Sequence, residues 1–207
     1  MNPICGDDPV RWWQWDAWCK PCRMESIPAP GAVCWEVSYD NDCERGKRTS
    51  RQLQDPLERV QVVLESDASI AAWVEYLGYA VCADPTHHGG GLHVTAPGGW
   101  LNTHLDYDLH PIVPGRRRAL NLIAFLNPVW EESWGGAFVL TDSLGVVRKR
   151  VFPAPGRLFA FEVGDLSYHG VEPVTGPEER VSCACYLLAK TTGRETRKRA
   201  MFFPKRA

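Results

Sequence analysis

Trp100-Leu-Asn-Thr-His104-Leu-Asp106 follows the turn signal Pro97-Gly98-Gly99 and sets polar residues at 102, 104 and 106 around Leu105. It is read as a strand near Trp100–Leu105. Residues two apart on a strand project to one face, so His104 and Asp106 share a side while Leu105 takes the other. The same character extends from Gly89 to Lys190, where short apolar runs alternate with clusters of Gly, Pro, Asn and Asp. Further strands are expected near Gly91–Thr95, Ala119–Leu126, Ala137–Thr141, Val146–Phe152, Arg157–Glu162 and Arg180–Ala189. Turn signals stand at Asn127-Pro128, Gly135-Gly136, Leu144-Gly145, Pro155-Gly156 and Gly176-Pro177. Short strands with such punctuation predict a mainly β protein built on a two-sheet antiparallel sandwich or jelly roll, with the core at 89–190.

Upstream the pattern is helical. Asp55-Pro56 offers an N-cap and an N1 proline ahead of Val60, Val63 and Leu64. A second helix is expected from Asp67 through Ile70, Ala71, Val74 and Leu77, stopping at Gly78. These helices buttress the β core. Residues 1–50, interrupted by five prolines and carrying tryptophans at 12, 13, 15 and 18, read as an irregular extension wrapped on the main domain, with a short strand near Val33–Tyr39. The whole, 1–207, is expected to be one domain.

Composition narrows the function classes. Hydrophobic residues are 44% and charged residues 23%, with a net charge of −2. This is ordinary globular usage, without whole-chain attraction to nucleic acid and without an apolar run for a membrane. The first residues carry neither a basic segment nor an apolar one of secretory type, so a cytoplasmic location is expected. Seven Lys or Arg residues against Glu195 after position 189 read as a solvated basic tail. Of eight cysteines, Cys19, Cys22, Cys34 and Cys43 leave two readings open, a structural zinc site or reduced thiols. Cys183 and Cys185 read as core residues on one strand face.

Chemistry concentrates in three places. His104 and Asp106 can meet one metal ion, and a third ligand must come from elsewhere; His169, in Gly164-Asp-Leu-Ser-Tyr-His-Gly-Val171, is the first choice, with Gly170 permitting close approach. Two histidines and a carboxylate leave three positions open on iron, the arrangement of non-haem Fe(II) oxygenases. H-x-D alone is weak, since it arises often by chance. Arg180, opening Arg180-Val-Ser-Cys-Ala-Cys-Tyr, adds a guanidinium suited to clamping a dicarboxylate. Asp108 and His110 continue the alternation after Asp106 and are alternative ligands, read first as pocket-mouth or solvent residues; His87 and His88 read as a loop pair, and Arg116-Arg117-Arg118 as a solvated turn, with contact to an anionic substrate as the alternative.

In this order the motifs resemble the 2-oxoglutarate and Fe(II)-dependent oxygenase superfamily, most closely its prolyl-4-hydroxylase-like branch. The pieces are Gly89-Gly-Gly-Leu-His93, Gly98-Gly-Trp-Leu-Asn-Thr-His104-Leu-Asp106, Arg118-Ala-Leu-Asn-Leu-Ile-Ala-Phe-Leu-Asn127, Trp130 through Gly135-Gly136, and His169-Gly-Val with Arg180-Val-Ser182. The resemblance implies a double-stranded β-helix (jelly-roll, cupin-like) fold and a hydroxylase that converts 2-oxoglutarate and O2 to succinate and CO2, with ascorbate in support. It implies Fe(II) on His104, Asp106 and His169, and the distal carboxylate of 2-oxoglutarate on Arg180. The carboxylate at Asp106 sets the chain apart from the superfamily's halogenases, which carry a small residue there. Close hydroxylases place a tyrosine in the preceding strand where this chain has His93 and Val94; His93, Asn121 and Ser182 are the residues expected to supply secondary contacts to the co-substrate. The implied substrate is a peptide, protein or amino-acid-like molecule, a prolyl residue among them. Two readings from other classes stand beside it: a non-catalytic jelly-roll module that binds a small molecule, and a zinc-dependent hydrolase or lyase using the same three ligands.

Overall fold

A computed structural model of the chain describes residues 2–18, 37–51 and 57–203. Cys19, Cys22, Cys34, residues 33–36 of the expected early strand and the Asp55-Pro56 helix start lie outside them. The elements run β1 (Ile4–Gly6), β2 (Trp12–Trp15), β3 (Val37–Tyr39), β4 (Glu44–Ser50), α1 (Leu57–Leu64), α2 (Asp67–Leu77), β5 (Cys82–Ala83) and β6 (Gly91–Leu105). They continue with β7 (Arg116–Phe125), β8 (Phe138–Thr141), β9 (Val147–Val151), β10 (Leu158–Glu162), β11 (Tyr168–Val171), β12 (Arg180–Lys190) and β13 (Met201–Phe202). None of the described helices is long and apolar enough to cross a membrane.

One antiparallel sheet carries the order β1-β2-β10-β7-β12-β6-β11-β8-β9. Phe138 of β8 nonetheless sits 5.4 and 5.3 Å, ring centre to ring centre, from Phe159 and Phe161 of β10. Strands that far apart along the sheet touch only if it curls over on itself, which is the jelly-roll closure. Strand periodicity sorts the side chains. On β7, Leu120, Leu122 and Ala124 join one apolar cluster, which α1 and α2 cover through Val60, Leu64, Trp73 and Leu77. Ile123 and Phe125 point the other way, into a second cluster with Phe138, Leu140, Phe159 and Phe161. Each fully buried phenylalanine there is worth about 1.5–3 kcal/mol of transfer free energy. Cys183 and Cys185 lie in the helix-facing cluster, as expected.

The second helix behaves as the sequence predicts. Ser66 caps it by accepting from the Ser69 amide, and Gly78 closes it at φ +78°, a left-handed conformation that costs glycine little. Three expectations need correction. The first is the irregular N-terminal extension: β2 pairs with β10, β4 pairs with β6, and Trp13 packs edge-on against Trp73 at 5.4 Å. Prolines interrupt the periodic pattern in this part of the sequence, while the tryptophans of β2 pack it onto the body of the sheet. The second is the break at Pro97-Gly98-Gly99. Gly91–Leu105 is one strand, in which Ala96 to Gly99 bulge opposite the single Gly46. Pro and Gly mark bulges as well as turns, because a bulge frees an N–H and admits positive φ. The third is the basic tail: its side chains Lys190, Arg194, Lys198 and Arg199 are solvent-exposed as expected, but its backbone does not run free and returns as β13 against β6; Lys205 and Arg206 lie outside the described residues.

Candidate active site

The period of two that builds the core also builds a cavity of about 400 Å3 at the closed end of the curl. From β12, Arg180, Ser182, Ala184 and Tyr186 face it, while Val181, Cys183 and Cys185 face the helices. Asn121 and Ile123 of β7, His93 and His104 of β6, and His169 of β11 complete the wall together with Asp106.

His104 and His169 are directly opposed across the β6–β11 pair, with ring centres 4.2 Å apart. A Cβ on Gly170 would stand 2.7 Å from the Leu101 carbonyl oxygen, so only glycine lets β11 approach β6 this closely. His104 Nε2 lies 3.7 Å from Asp106 Oδ1, and His169 Nε2 lies 3.8 Å from Asp106 Oδ2. One donor atom from each of the three falls within 4.8 Å of the others, and all three residues are buried.

The hydrogen bonds prepare these groups for a cation. His104 Nδ1 meets the Asn102 carbonyl at 2.9 Å and His169 Nδ1 the Ser167 carbonyl at 2.7 Å. A carbonyl can only accept, so each Nδ1 carries the proton and each Nε2 turns a bare lone pair inward. Burial pushes His104 down to about 3 and lowers His169, which keeps both imidazoles neutral. Burial alone would raise Asp106, but the Arg118 guanidinium outweighs it and holds the carboxyl well below its usual range. Arg118 Nη1 stands 2.9 Å from Asp106 Oδ2 without aligning for a hydrogen bond, so that buried oxygen accepts none among the described residues. A buried anionic oxygen short of a donor, beside two neutral imidazole nitrogens, fits a divalent metal, and two nitrogens with one carboxylate suit Fe(II).

Arg180 is 3% exposed and has no acidic partner among the described residues. Its Nε donates to the Gly136 carbonyl at 2.9 Å and its Nη1 to Ser182 Oγ at 3.2 Å. Burial lowers its pKa to about 10. A desolvated guanidinium in a cavity wall is costly unless an anion joins it, and this one is placed for a carboxylate. Asn127 fixes the strand start by donating to the Glu179 carbonyl and accepting from the Val181 amide. Asn121 Oδ1 is buried and unpartnered among the described residues. His93 is half-buried, with Nε2 3.1 Å from the Gly89 carbonyl.

The structure thus brings His104, Asp106, His169, Arg180, Ser182, Asn121 and His93 to one cavity. It takes Asp108 and His110 elsewhere: Asp108 accepts from the Thr196 and Arg197 amides, and His110 binds Asp84 and the amides of Ile112 and Val113. Arg118 is the residue the sequence reading missed. It is fully buried, held between the Tyr107 and Tyr186 rings at 3.8 and 3.3 Å, and donates to Tyr107 and to the His88 carbonyl. Its signal was the apolar run that follows it, which makes it the first inward residue of a buried strand rather than the last residue of a turn.

Comparison with known proteins agrees with this architecture. The family model of the 2OG-Fe(II) oxygenase superfamily matches residues 80–188. A prolyl-4-hydroxylase from Pseudomonas putida superposes with a TM-score of 0.59 at 17% identity, covering 87% of this chain and 93% of its own. The viral collagen prolyl hydroxylase of Paramecium Bursaria Chlorella virus-1, in its 2OG complex, gives a TM-score of 0.57 at 15% identity over 88% of this chain and 98% of its own. No curated protein matches the sequence significantly. At these identities the solved structures establish a shared fold, and the family model establishes kinship: the chain belongs to the 2OG-Fe(II) oxygenase superfamily and is a 2-oxoglutarate-dependent dioxygenase.

Proposed function

We propose that this dioxygenase hydroxylates an unactivated C–H bond of an amino-acid-like substrate, a prolyl residue foremost, with 2-oxoglutarate converted to succinate and CO2. The observation that carries the reading is Arg180, a buried guanidinium without a carboxylate partner in the same cavity as an intact His104, Asp106 and His169 set. In this reading His104, Asp106 and His169 hold Fe(II), Arg180 and Ser182 take the distal carboxylate of 2-oxoglutarate, and Asn121 and His93 offer further polar contacts. Bound Fe(II) with 2-oxoglutarate and O2 supplies the oxidising power for C–H hydroxylation, with ascorbate in support. The protein's part is positional. The Asn102 and Ser167 carbonyls fix the imidazole tautomers, Arg118 keeps Asp106 ionised, and Phe138 and Phe161 close one side of the His169 ring against water.

The preference for an amino-acid-like substrate draws on the relatives, which include a prolyl-4-hydroxylase, a collagen prolyl hydroxylase and, at a TM-score of 0.50, a prolyl hydroxylase from Trichoplax adhaerens in complex with a peptide. No specific observation favours the binding-module or zinc-hydrolase readings. The test is mass spectrometry of proline-containing peptides incubated with the Fe(II) enzyme, 2-oxoglutarate, ascorbate and isotopically labelled O2. A product one labelled oxygen heavier on proline is expected; peptides and amino acids returned unchanged while succinate accumulates with some other compound would contradict the substrate class.

A further inference from the structure

The chain after β12 does not leave the molecule but crosses the mouth of the cavity, pinned at three places. The Thr191 amide donates to the Gly115 carbonyl. Arg197 is held by its own amide and Nη2 on Asp108, by Nε on the Asp106 carbonyl at 3.0 Å, and by Nη1 on Asp165 at 2.6 Å. Met201 and Phe202 then pair with Leu105 and His104, and the Phe202 ring stacks on the His104 ring at 4.9 Å and 26°. Between the last two pins, Lys198, Arg199 and Ala200 span the opening and line the cavity.

Charge balance says what that span is for. Among the described residues, the cavity wall holds Glu44, Lys47, Asp106, Arg118, Arg180, Lys198 and Arg199 as its ionised groups. Lys47 pairs with Glu44 at 2.7 Å and Arg118 with Asp106 at 2.9 Å. Three cations remain. Arg180 sits at the base and answers the co-substrate; Lys198 and Arg199 sit exposed at the rim, and none of the described residues offers either an ion pair or a hydrogen bond. Neighbouring cations cost repulsion, and three pins spend backbone entropy to keep them there. We propose that Lys198 and Arg199 are specificity-determining residues that bind a carboxylate carried by the substrate beside the carbon to be hydroxylated. This rests on the dioxygenase reading above and adds the charge class of its substrate.

A carboxylate of this kind comes from the main chain of a free amino acid or from an acidic side chain next to the reacting residue, and matched pairs separate the two. Calorimetry under anaerobic conditions, on the enzyme loaded with Fe(II) and 2-oxoglutarate, would compare L-proline with L-prolinamide and acetyl-prolyl-aspartyl amide with acetyl-prolyl-asparaginyl amide. In at least one pair the acid is expected to bind about tenfold tighter than the amide, the worth of one charge-assisted contact. The Lys198→Gln/Arg199→Gln variant should bring the two within about twofold, and Lys198→Glu/Arg199→Glu should reverse their order. Arg148→Gln, on the remote β8–β9 hairpin, should leave the preference intact. Equal binding of acid and amide by the native enzyme, no binding in either pair, or a preference that survives both double variants would overturn the proposal. Absence of Fe(II) and 2-oxoglutarate binding in the same titrations would instead overturn the dioxygenase site itself.

Discussion

Arg180 and Arg118 are two buried guanidiniums on neighbouring strands, and they meet the cost of burial in opposite ways. Arg118 has its charge matched inside the protein by Asp106, with two tyrosine rings and a carbonyl beside it. Arg180 has a carbonyl and a hydroxyl but no counter-charge among the described residues, so its charge is matched only when an anion enters. Arg180→Ala should therefore raise the KM for 2-oxoglutarate about ten- to a hundredfold, with kcat at saturating co-substrate falling much less; Arg180→Lys should recover part of the loss. Steady-state succinate release against 2-oxoglutarate concentration measures both, and an unchanged KM would remove Arg180 from that role. At this scale His104, Asp106, His169 and Arg180 were legible as a set because strand alternation and motif order are properties of the sequence. Arg118 was not, because a triple arginine beside a turn looks solvated until the strand's inward face is known.

The elements convert these side chains into a site, and their tolerances are narrow. Gly170 is where β11 meets β6, and a methyl group there would meet backbone rather than a movable side chain. Gly170→Ala should part the two strands, move His169 away from His104 and weaken metal binding at least tenfold, while the far-ultraviolet circular dichroism of the sheet is retained. Metal titration of the variant against the native protein tests this; equal affinity would mean that β11 absorbs the methyl without shifting. A second tolerance lies in the loop from Asp84 to Gly90. The Asp84 carboxylate accepts from the Thr86 amide and hydroxyl, the His88 amide and His110 Nε2. Burial raises its pKa, but these hydrogen bonds outweigh it and the net shift is downward. A carboxyl whose folded pKa lies below its unfolded value binds fewer protons in the folded state. Its stabilisation is thus complete above the unfolded value of about 4 and is lost as pH falls through the folded one. Asp84→Asn should cost about 1–3 kcal/mol at pH 7, and the gap from the native protein should close as urea denaturation is repeated below about pH 4. A gap that stays constant with pH would rule out this linkage.

At the scale of the molecule, the β-rich class and the two supporting helices were readable from hydrophobic period and caps. The closure of the sheet was not, since contacts such as Phe138 with Phe159 join segments whose local patterns say nothing of each other. The same holds for β2, β4 and β13, short strands whose pairing partners β10 and β6 lie far away in sequence. The tail shows it most plainly: a run that reads as a solvated basic segment becomes a strap because Asp108, Asp165 and the edge of β6 receive it.

The central claim is that His104, Asp106 and His169 form an iron centre that works with 2-oxoglutarate. It is tested most directly by succinate formation from anaerobically purified protein given Fe(II), 2-oxoglutarate, ascorbate and O2, beside Asp106→Ala. Succinate from the native chain, with Asp106→Ala reduced by two orders of magnitude or more, is the predicted result, because the change removes a metal ligand. Succinate formed equally by Asp106→Ala, or a native protein that binds neither Fe(II) nor 2-oxoglutarate, would contradict it.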